Sequence, residues 1–332
     1  MVEPINTKYA ASGFVESRIG GRQENQDSAG VRDTELGLLV VVCDGMGGMQ
    51  GGQIASTLAV NTILSYFDNV DNQSDPSMTL VKAINEANMQ ILARGDEDPT
   101  LKGMGTTVTA LLMTVKSAIV AHVGDSRIYQ LRGGKKAFRT FDHSMVFEMV
   151  RKKVITEEQA RLSAQSNVIL KALGVKPELE VECHELPYVK GDRFVLCSDG
   201  FWGAMPEHEF LSMVGKKAAM DRILESTCNK VEAIGKEKGG DYDNLTAAIV
   251  EMEANSIMQI KMNKLAKTTI TILAILLCCS IALNIYYCLP ACCPSDTQEE
   301  AVTEESTKES EDEHEVVQDS IPDDGGTNDP VL

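Results

Sequence analysis

The stretch TTVTALLMTV-KS-AIVAHV, residues 106–123, decides the fold class. Two apolar runs rich in Val, Thr and Ile read as strands, Thr106–Val115 and Ala118–Val123, with only Lys116 and Ser117 between them. A parallel pair needs a crossover of a dozen residues or more, so a link this short demands an antiparallel hairpin. Working outward, similar apolar runs at Leu36–Cys43, Arg193–Cys197 and Leu245–Met252 predict further strands. Helical stretches are expected at Gly51–Phe67, Thr79–Arg94, Val146–Lys153, Glu157–Leu162 and Ala218–Gly235. Thr156 before Glu157-Glu158-Gln159 reads as a helix start with acidic residues in its first turn. The reading is α+β with antiparallel sheet, not a doubly wound nucleotide-binding fold.

The charge is unevenly placed. The chain of 332 residues carries a formal −18, but residues 291–332 hold 14 Asp/Glu against one Lys, a net −13, which leaves −5 for everything before them. The end, rich in Asp, Glu, Ser and Thr, has too little apolar surface to offset its ordering entropy and reads as disordered over 290–332. Ahead of it, Thr268–Leu289 is uncharged for 22 residues. As a helix it spans roughly 33 Å, about the hydrocarbon thickness of a bilayer, and reads as a transmembrane segment. Tyr286 and Tyr287 fit interfacial anchors, and Lys261, Lys264 and Lys267 in the stem 256–267 face lipid headgroups or solvent. The positive-inside rule then places residues 1–255 and the stem in the cytoplasm of a single-pass cell-membrane protein, with the tail on the opposite side. The N-terminus MVEPINTKYA lacks the apolar region of a secretory signal. Nothing in the charge pattern reads as a nucleic-acid footprint.

The cysteines exclude several chemistries. Cys43, Cys183, Cys197 and Cys228 are scattered singly, without C-x-x-C spacing, and read as small core residues in a reducing compartment. None of the nine cysteines has Arg six positions on, which excludes a cysteine-based phosphatase. Gly45–Gly52 lacks the Lys of a phosphate-binding P-loop. Cys292 and Cys293, just after the apolar segment, are candidate lipidation sites.

Four aspartates share one context. Asp44 ends LLVVVCD and precedes Gly45-Met46-Gly47-Gly48; Asp125 ends IVAHVGD; Asp199 ends RFVLCSD before Gly200; Asp243 sits in GGDYDN just before the strand LTAAIV. Taken alone, each Asp-Gly is an ordinary turn. Brought together, the four carboxylates repel one another unless cations lie between them. Oxygen ligands without imidazole or thiolate favour Mg²⁺ or Mn²⁺ over zinc.

These residues also carry a resemblance. Arg22-Gln23-Glu24-Asn25-Gln26-Asp27, Asp44-Gly45-Met46-Gly47-Gly48, Gly105-Thr106-Thr107, Val123-Gly124-Asp125-Ser126-Arg127, Asp142-His143-Ser144, Ser198-Asp199-Gly200 and Asp243-Asn244, in this order between about Ser12 and Met252, are similar to the motifs of the type 2C metal-dependent serine/threonine protein phosphatases. The resemblance implies a four-layer sandwich, two stacked antiparallel β-sheets flanked by helices, here followed by the transmembrane helix. It implies that Asp44 bridges two metals, the Gly45 carbonyl ligates the second, Asp199 and Asp243 complete the first, Asp27 acts through metal-bound water, and Asp125 serves a third, weaker site. Arg22 would hold the substrate phosphate, as suits a planar guanidinium fork. A water between the metals would attack phosphorus in line, with no phosphoenzyme. The expected partners are phosphoprotein substrates, among them a serine/threonine kinase or its targets, with the catalytic domain a monomer. Many eukaryotic relatives carry a histidine, proposed as general acid, where this chain has Met46. Metal-bound water is expected to take that role, with His143 the alternative. Ser144–Gly174 would form a variable flap carrying Arg151, Lys152, Lys153 and Arg161. The competing reading is a membrane-tethered pseudophosphatase that binds phosphoproteins without turnover, whose signature would be loss of Asp44, Asp199 or Asp243.

Overall fold

The computed structural model describes residues 2–47 and 50–288. The expectations for Gly48, Leu289, the tail 290–332, Cys292 and Cys293, and the side chains of Tyr286 and Tyr287 lie outside the described residues.

Among the described residues there are twelve strands and eight α-helices. The strands are β1 (Glu3–Ile5), β2 (Ala11–Arg18), β3 (Asp27–Asp33), β4 (Leu38–Met46), β5 (Gly105–Thr106), β6 (Val108–Met113), β7 (Ala118–Val123), β8 (Arg127–Arg132), β9 (Lys135–Arg139), β10 (Glu182–Leu186), β11 (Arg193–Cys197) and β12 (Leu245–Met252). The helices are α1 (Gly51–Tyr66), α2 (Pro76–Glu97), α3 (Met145–Arg151), α4 (Glu157–Arg161), α5 (Asp199–Trp202), α6 (Glu207–Val214), α7 (Met220–Glu237) and α8 (Ile257–Cys288). One sheet runs β1-β2-β12-β11-β8-β9 and the other β10-β7-β6-β4-β3, with β5 added to the end of β4. Every named pair is antiparallel.

The apolar runs are continuous because both faces of each central strand are covered, as a strand's two-residue alternation requires. In β4, Leu38, Val40 and Val42 enter the core between the sheets, while Leu39, Val41 and Cys43 pack under α1 and α2. In β12, Ala248, Val250 and Met252 face the same inter-sheet core, and Leu245, Ala247 and Ile249 pack with Phe210, Ile223 and Leu224 of α6 and α7. The result is helix, sheet, sheet, helix: the four-layer α+β sandwich expected. Each such side chain, buried completely, contributes about 1.5–3 kcal/mol relative to exposure. Cys43, Cys197 and Cys228 are core residues, and Cys183 packs against the helix-covered core.

The deciding hairpin is longer-linked than its sequence suggests. β6 ends at Met113, so Thr114–Ser117 form a four-residue connection in place of the two-residue one. The physical reason is Thr114: its hydroxyl donates to the Ser117 carbonyl (2.9 Å) and accepts the N–H groups of Lys116 and Ser117 (3.1 and 3.0 Å), closing a turn of its own. The start of α8 meets this turn, with the Ile257 and Met258 N–H groups donating to the carbonyls of Val115 and Lys116. Ser256 caps α8 through the Gln259 N–H (3.1 Å). α8 therefore begins eleven residues before the apolar run at Thr268, and the lysine stem is part of the helix. Residues Ile257–Ile285 are long and apolar enough to cross a membrane.

Candidate active site

The site lies where β4, β11 and β12 bring their ends to one edge of the sandwich. Asp44 is third from last in β4, and its backbone is clamped from β5 and the residue after it. The Asp44 N–H donates to Thr107 Oγ1 (3.0 Å), and its carbonyl accepts from the Thr106 hydroxyl (2.8 Å) and the Thr107 N–H (2.8 Å). The neighbouring Gly45 has to be glycine. A Cβ there would stand 2.1 Å from the Gly52 carbonyl oxygen and 2.6 Å from that of Gln26. Asp27, the first residue of β3, is the direct cross-strand partner of Asp44. Asp199 opens α5 immediately after β11, and Asp243 immediately precedes Asn244 and β12.

Arg22, Asp44, Gly45, Asp125, Asp199 and Asp243 line one recess, with Asp27 buried behind Asp44. All six expected metal-binding residues are thus gathered at one edge. Three carboxylate oxygens, Oδ1 of Asp27, Asp125 and Asp199, are buried without a hydrogen-bond partner. Burial raises the pKa of Asp27, Asp44, Asp125 and Asp199, and the neighbouring carboxylates raise them further. Asp27 is pushed up to about 7 by desolvation, then by the charges of Asp199 and Asp243. Asp199 is pushed up to about 6 by desolvation, then by the charge of Asp243. Asp44 is raised well above the usual carboxylate range by desolvation, then by Asp27 and Asp199, and Asp125 is raised by desolvation, then by Asp199 and Asp142. A cluster in which each member opposes its neighbour's ionisation, with lone pairs aimed at nothing, fits hard divalent cations and is costly without them.

Arg22 reaches the same recess but engages Asp243, with Nε and Nη2 donating to its two oxygens at 3.2 and 3.1 Å and Nη1 to Asp241 at 3.4 Å. The guanidinium stays half exposed, facing the mouth of the recess. Met46 lines the recess where a histidine acid would stand. His143 does not: it is buried, with Nδ1 accepting from the Gly124 N–H (3.2 Å) and Nε2 against Glu182 (3.3 Å). In the flap segment, Asn167 and Ile169 reach the recess, while Arg151 and Arg161 pair with Glu148 and Glu158 on their own helices.

Several supporting residues escaped the sequence reading although they sit inside its motifs. Asn244 accepts from the Gln26 N–H (2.8 Å) and donates to the carbonyls of Ile19 (2.7 Å) and Glu24 (2.9 Å), which pins the segment carrying Arg22. Ser198 donates to Asp27 Oδ2 (2.8 Å). Arg127 forms a buried two-pronged pair with Asp142 (2.8 Å twice) beneath the Trp202 ring, whose Nε1–H donates to the Asp125 carbonyl (3.1 Å). Their signal was motif membership alone, since hydrogen bonds across 15 to 225 residues leave no local pattern.

A recess of this kind, five aspartates beside a glycine at the edge of a double antiparallel sandwich, has a donor set that suits divalent cations. Comparison with known proteins gives the family. Residues 16–233 match the family model described as Protein phosphatase 2C. The serine/threonine phosphatase stp of Listeria welshimeri is 33% identical over 234 residues, 69% of this chain and 91% of that protein. A putative protein phosphatase 2C-type of Streptococcus pyogenes is 35% identical, over 71% of this chain and 95% of that protein. Among solved structures, the serine/threonine phosphatase Stp1 from Staphylococcus aureus aligns with a TM-score of 0.66 at 27% identity, over 76% of this chain and 98% of that one. The catalytic domain of the phosphatase PstP, solved in complex with two manganese ions, aligns with a TM-score of 0.59 at 29% identity, over 73% and 97%. The chain belongs to the protein phosphatase 2C family and is a metal-dependent serine/threonine protein phosphatase.

Proposed function

We propose that this protein removes phosphate from phosphoserine and phosphothreonine side chains of proteins at the cytoplasmic face of a cell membrane, using two Mg²⁺ or Mn²⁺ ions held by Asp44, the Gly45 carbonyl, Asp199 and Asp243. Asp27 backs this set, and Asp125 serves a third, weaker site. The observation that carries the reading is the trio of buried, partnerless oxygens on Asp27, Asp125 and Asp199, within a cluster of carboxyl groups that oppose one another's ionisation. When bound, such a metal pair supplies an activated water and neutralises phosphoryl charge.

The chain's own residues do the rest. Thr106 and Thr107 fix the Asp44 backbone, which places its side chain at the recess before loading. Arg22 grips Asp243 through the same two-oxygen fork that a phosphate monoester offers, and a cation competes with it for those oxygens. With Asp243 engaged elsewhere, the guanidinium turns to the substrate's phosphate at the mouth of the recess. Met46 holds no proton, so the leaving serine or threonine oxygen takes its proton from water. Retention of Asp44, Asp199 and Asp243 in one recess speaks against a pseudophosphatase.

Full-length protein in detergent with a phosphothreonine peptide tests this. Mn²⁺ is expected to start phosphate release and excess EDTA to return it to background. Release that persists in EDTA, or peptide binding without release in Mn²⁺, overturns the reading.

Residues 1–255 form the catalytic part in this reading, 256–267 the basic stem, 268–289 the membrane span and 290–332 an acidic tail on the other side. Lys261, Lys264 and Lys267 are exposed on α8 ahead of the apolar run, which supports a cytoplasmic stem against anionic lipid. The substrates are then phosphoproteins at that membrane, a serine/threonine kinase or its targets. An enzymatic reporter fused after Leu332 is expected to be accessible from outside intact cells. Activity confined to the cytoplasm reverses the orientation.

A further inference from the structure

A cleft opens beside the aspartate recess, and the chemistry assigned to the recess does not use it. One side is the flap segment, with Phe147 of α3, Ala160 of α4 and Asn167. The other is α5 and the end of α7, with Trp202, Ile234 and Tyr242. The space between them is about 220 Å³, several times the roughly 30 Å³ that a water occupies in the liquid, so it has room for a side chain. Asp125, Asn167, Asp199 and Asp243 line both the cleft and the recess, so the two are continuous.

The walls are hydrocarbon and held in place. The Trp202 indole gives its N–H to the Asp125 carbonyl (3.1 Å) and lays one face on Arg127, so it offers the cleft no donor. Gly235 lets the Tyr242 ring lie against α7, since a Cβ there would stand 2.3 Å from that ring. Phe147 and Ala160 are buried in the small core of the flap. Trp202, Ile234 and Tyr242 pack against the helix-covered core, yet each stays partly exposed. The charges around them are committed: Asp142 pairs with Arg127 and Arg161 with Glu158. A cleft walled by apolar and aromatic groups, with a few polar groups converging at one end, is the usual form of a binding site.

We infer that this cleft is a substrate subsite, which takes the apolar side chain of a residue close to the phosphorylated serine or threonine of the protein substrate. The inference deepens the proposed reading of the recess and rests on it for where the phosphate sits. Continuity with the recess sets the occupant. Successive residues of an extended chain are about 3.3 Å apart, so the entering side chain belongs to a residue one or two positions from the phosphorylated one. A branched or aromatic side chain there leaves water for hydrocarbon walls. A carboxylate would lose hydration without gaining a partner, because Asp125, Asp199 and Asp243 share its sign and Arg127 is already paired. Lys238, the one cation lining the cleft without an ion pair among the described residues, is solvent-exposed, where such a pair is worth little. The cleft thus selects among phosphoproteins by an apolar residue beside the phosphate, which a metal centre alone does not read.

The test uses full-length protein in lipid nanodiscs with Mn²⁺, so that no free detergent competes for an apolar cleft. Phosphothreonine peptides of Gly, Ala and Ser carry Leu, Ala or Asp in turn at each position within two residues of the phosphothreonine. At one position Leu is expected to exceed Ala in kcat/KM by about tenfold or more, with Asp below Ala. Ala204 also lines the cleft, and Ala204→Phe fills it, so the Leu-to-Ala ratio of that variant is expected to fall to near one. Trp202 is the chain's one tryptophan, so its emission reports on the cleft in the unsubstituted protein, however well the variant folds. The preferred Leu peptide, made with a non-hydrolysable phosphonate, is expected to blue-shift that emission at saturation, and the matching Ala peptide not to. Hydrolysis of all peptides at one rate overturns the subsite and leaves the phosphatase reading standing. A Leu preference that survives in Ala204→Phe, or that comes without the blue shift, also overturns it. Hydrolysis of none strikes the phosphatase reading instead, and the emission then decides the subsite alone.

Discussion

Asp44→Asn is expected to abolish phosphate release, by about a thousandfold or more, in a protein that still folds. The size follows from what the carboxylate does in the proposed site. Metal-assisted charge stabilisation is worth several kcal/mol, and each 1.36 kcal/mol is a factor of ten in rate. An amide in its place keeps the shape but loses the charge that two cations share. The fold is preserved because the bonds from Thr106 and Thr107 go to the Asp44 backbone, which the substitution leaves alone. Stability supplies the second readout. Burial and the charges of Asp27 and Asp199 push the Asp44 pKa up, so its ionised form is unfavourable without cations. Removing that charge is expected to leave the melting temperature in EDTA unchanged or higher, and to shrink the gain on adding Mn²⁺. Near-normal turnover in the variant would remove Asp44 from the centre of the site. A collapsed melting temperature would make it a packing residue instead.

The sequence made Asp44 easy to find and its supports hard. β4 is buried on both faces, so Leu38–Cys43 form an unbroken apolar run, and the first charge after it marks where the strand reaches solvent. The same logic exposed Asp125 and Asp199 at the ends of β7 and β11. It failed for β2, β3, β9 and β10, where a face or an edge is at least partly open and polar residues interrupt the pattern, as in Asp27–Asp33 (DSAGVRD), and for β8, which is buried but whose apolar run is broken by Arg127, Gln130 and Arg132. It failed also for α6, whose eight residues give barely two turns of periodicity behind Pro206. α8 is a different case: its apolar run was plain, but the helix starts at Ile257 because Ser256 caps it, eleven residues before that run begins at Thr268. Arg22 was placed in the site by resemblance, yet its grip on Asp243 rests on Asn244 holding residues 19–26 in reach, a contact no spacing rule encodes.

That dependence of the site on distant buried pairs gives the second large expected effect. Asp142→Ala is expected to destabilise the protein by about 3–5 kcal/mol, the usual result of stranding one member of a buried ion pair. Arg127 and Asp142 are both almost fully buried. The guanidinium donates twice to Asp142 and once to the Tyr129 hydroxyl (3.0 Å), with its carbon 3.2 Å from the centre of the Trp202 ring. The acid next to it holds Arg127 firmly in its charged form against the cost of burial. Without the acid the charge stays, enclosed by Trp202 and Phe147 and short of its acceptor. Against a typical total of 5–15 kcal/mol, that loss is a large share of the folding free energy. Urea denaturation followed by circular dichroism measures it directly. The double substitution Arg127→Met with Asp142→Leu is the control, because removing both charges together leaves none stranded and is expected to recover most of the stability. The recovered fold is still expected to hydrolyse phosphopeptide more slowly, since Trp202, which stacks on Arg127, also donates to the carbonyl of Asp125. A single Asp142→Ala variant as stable as the parent would show that water reaches Arg127 and that the pair is not the anchor beneath this side of the recess.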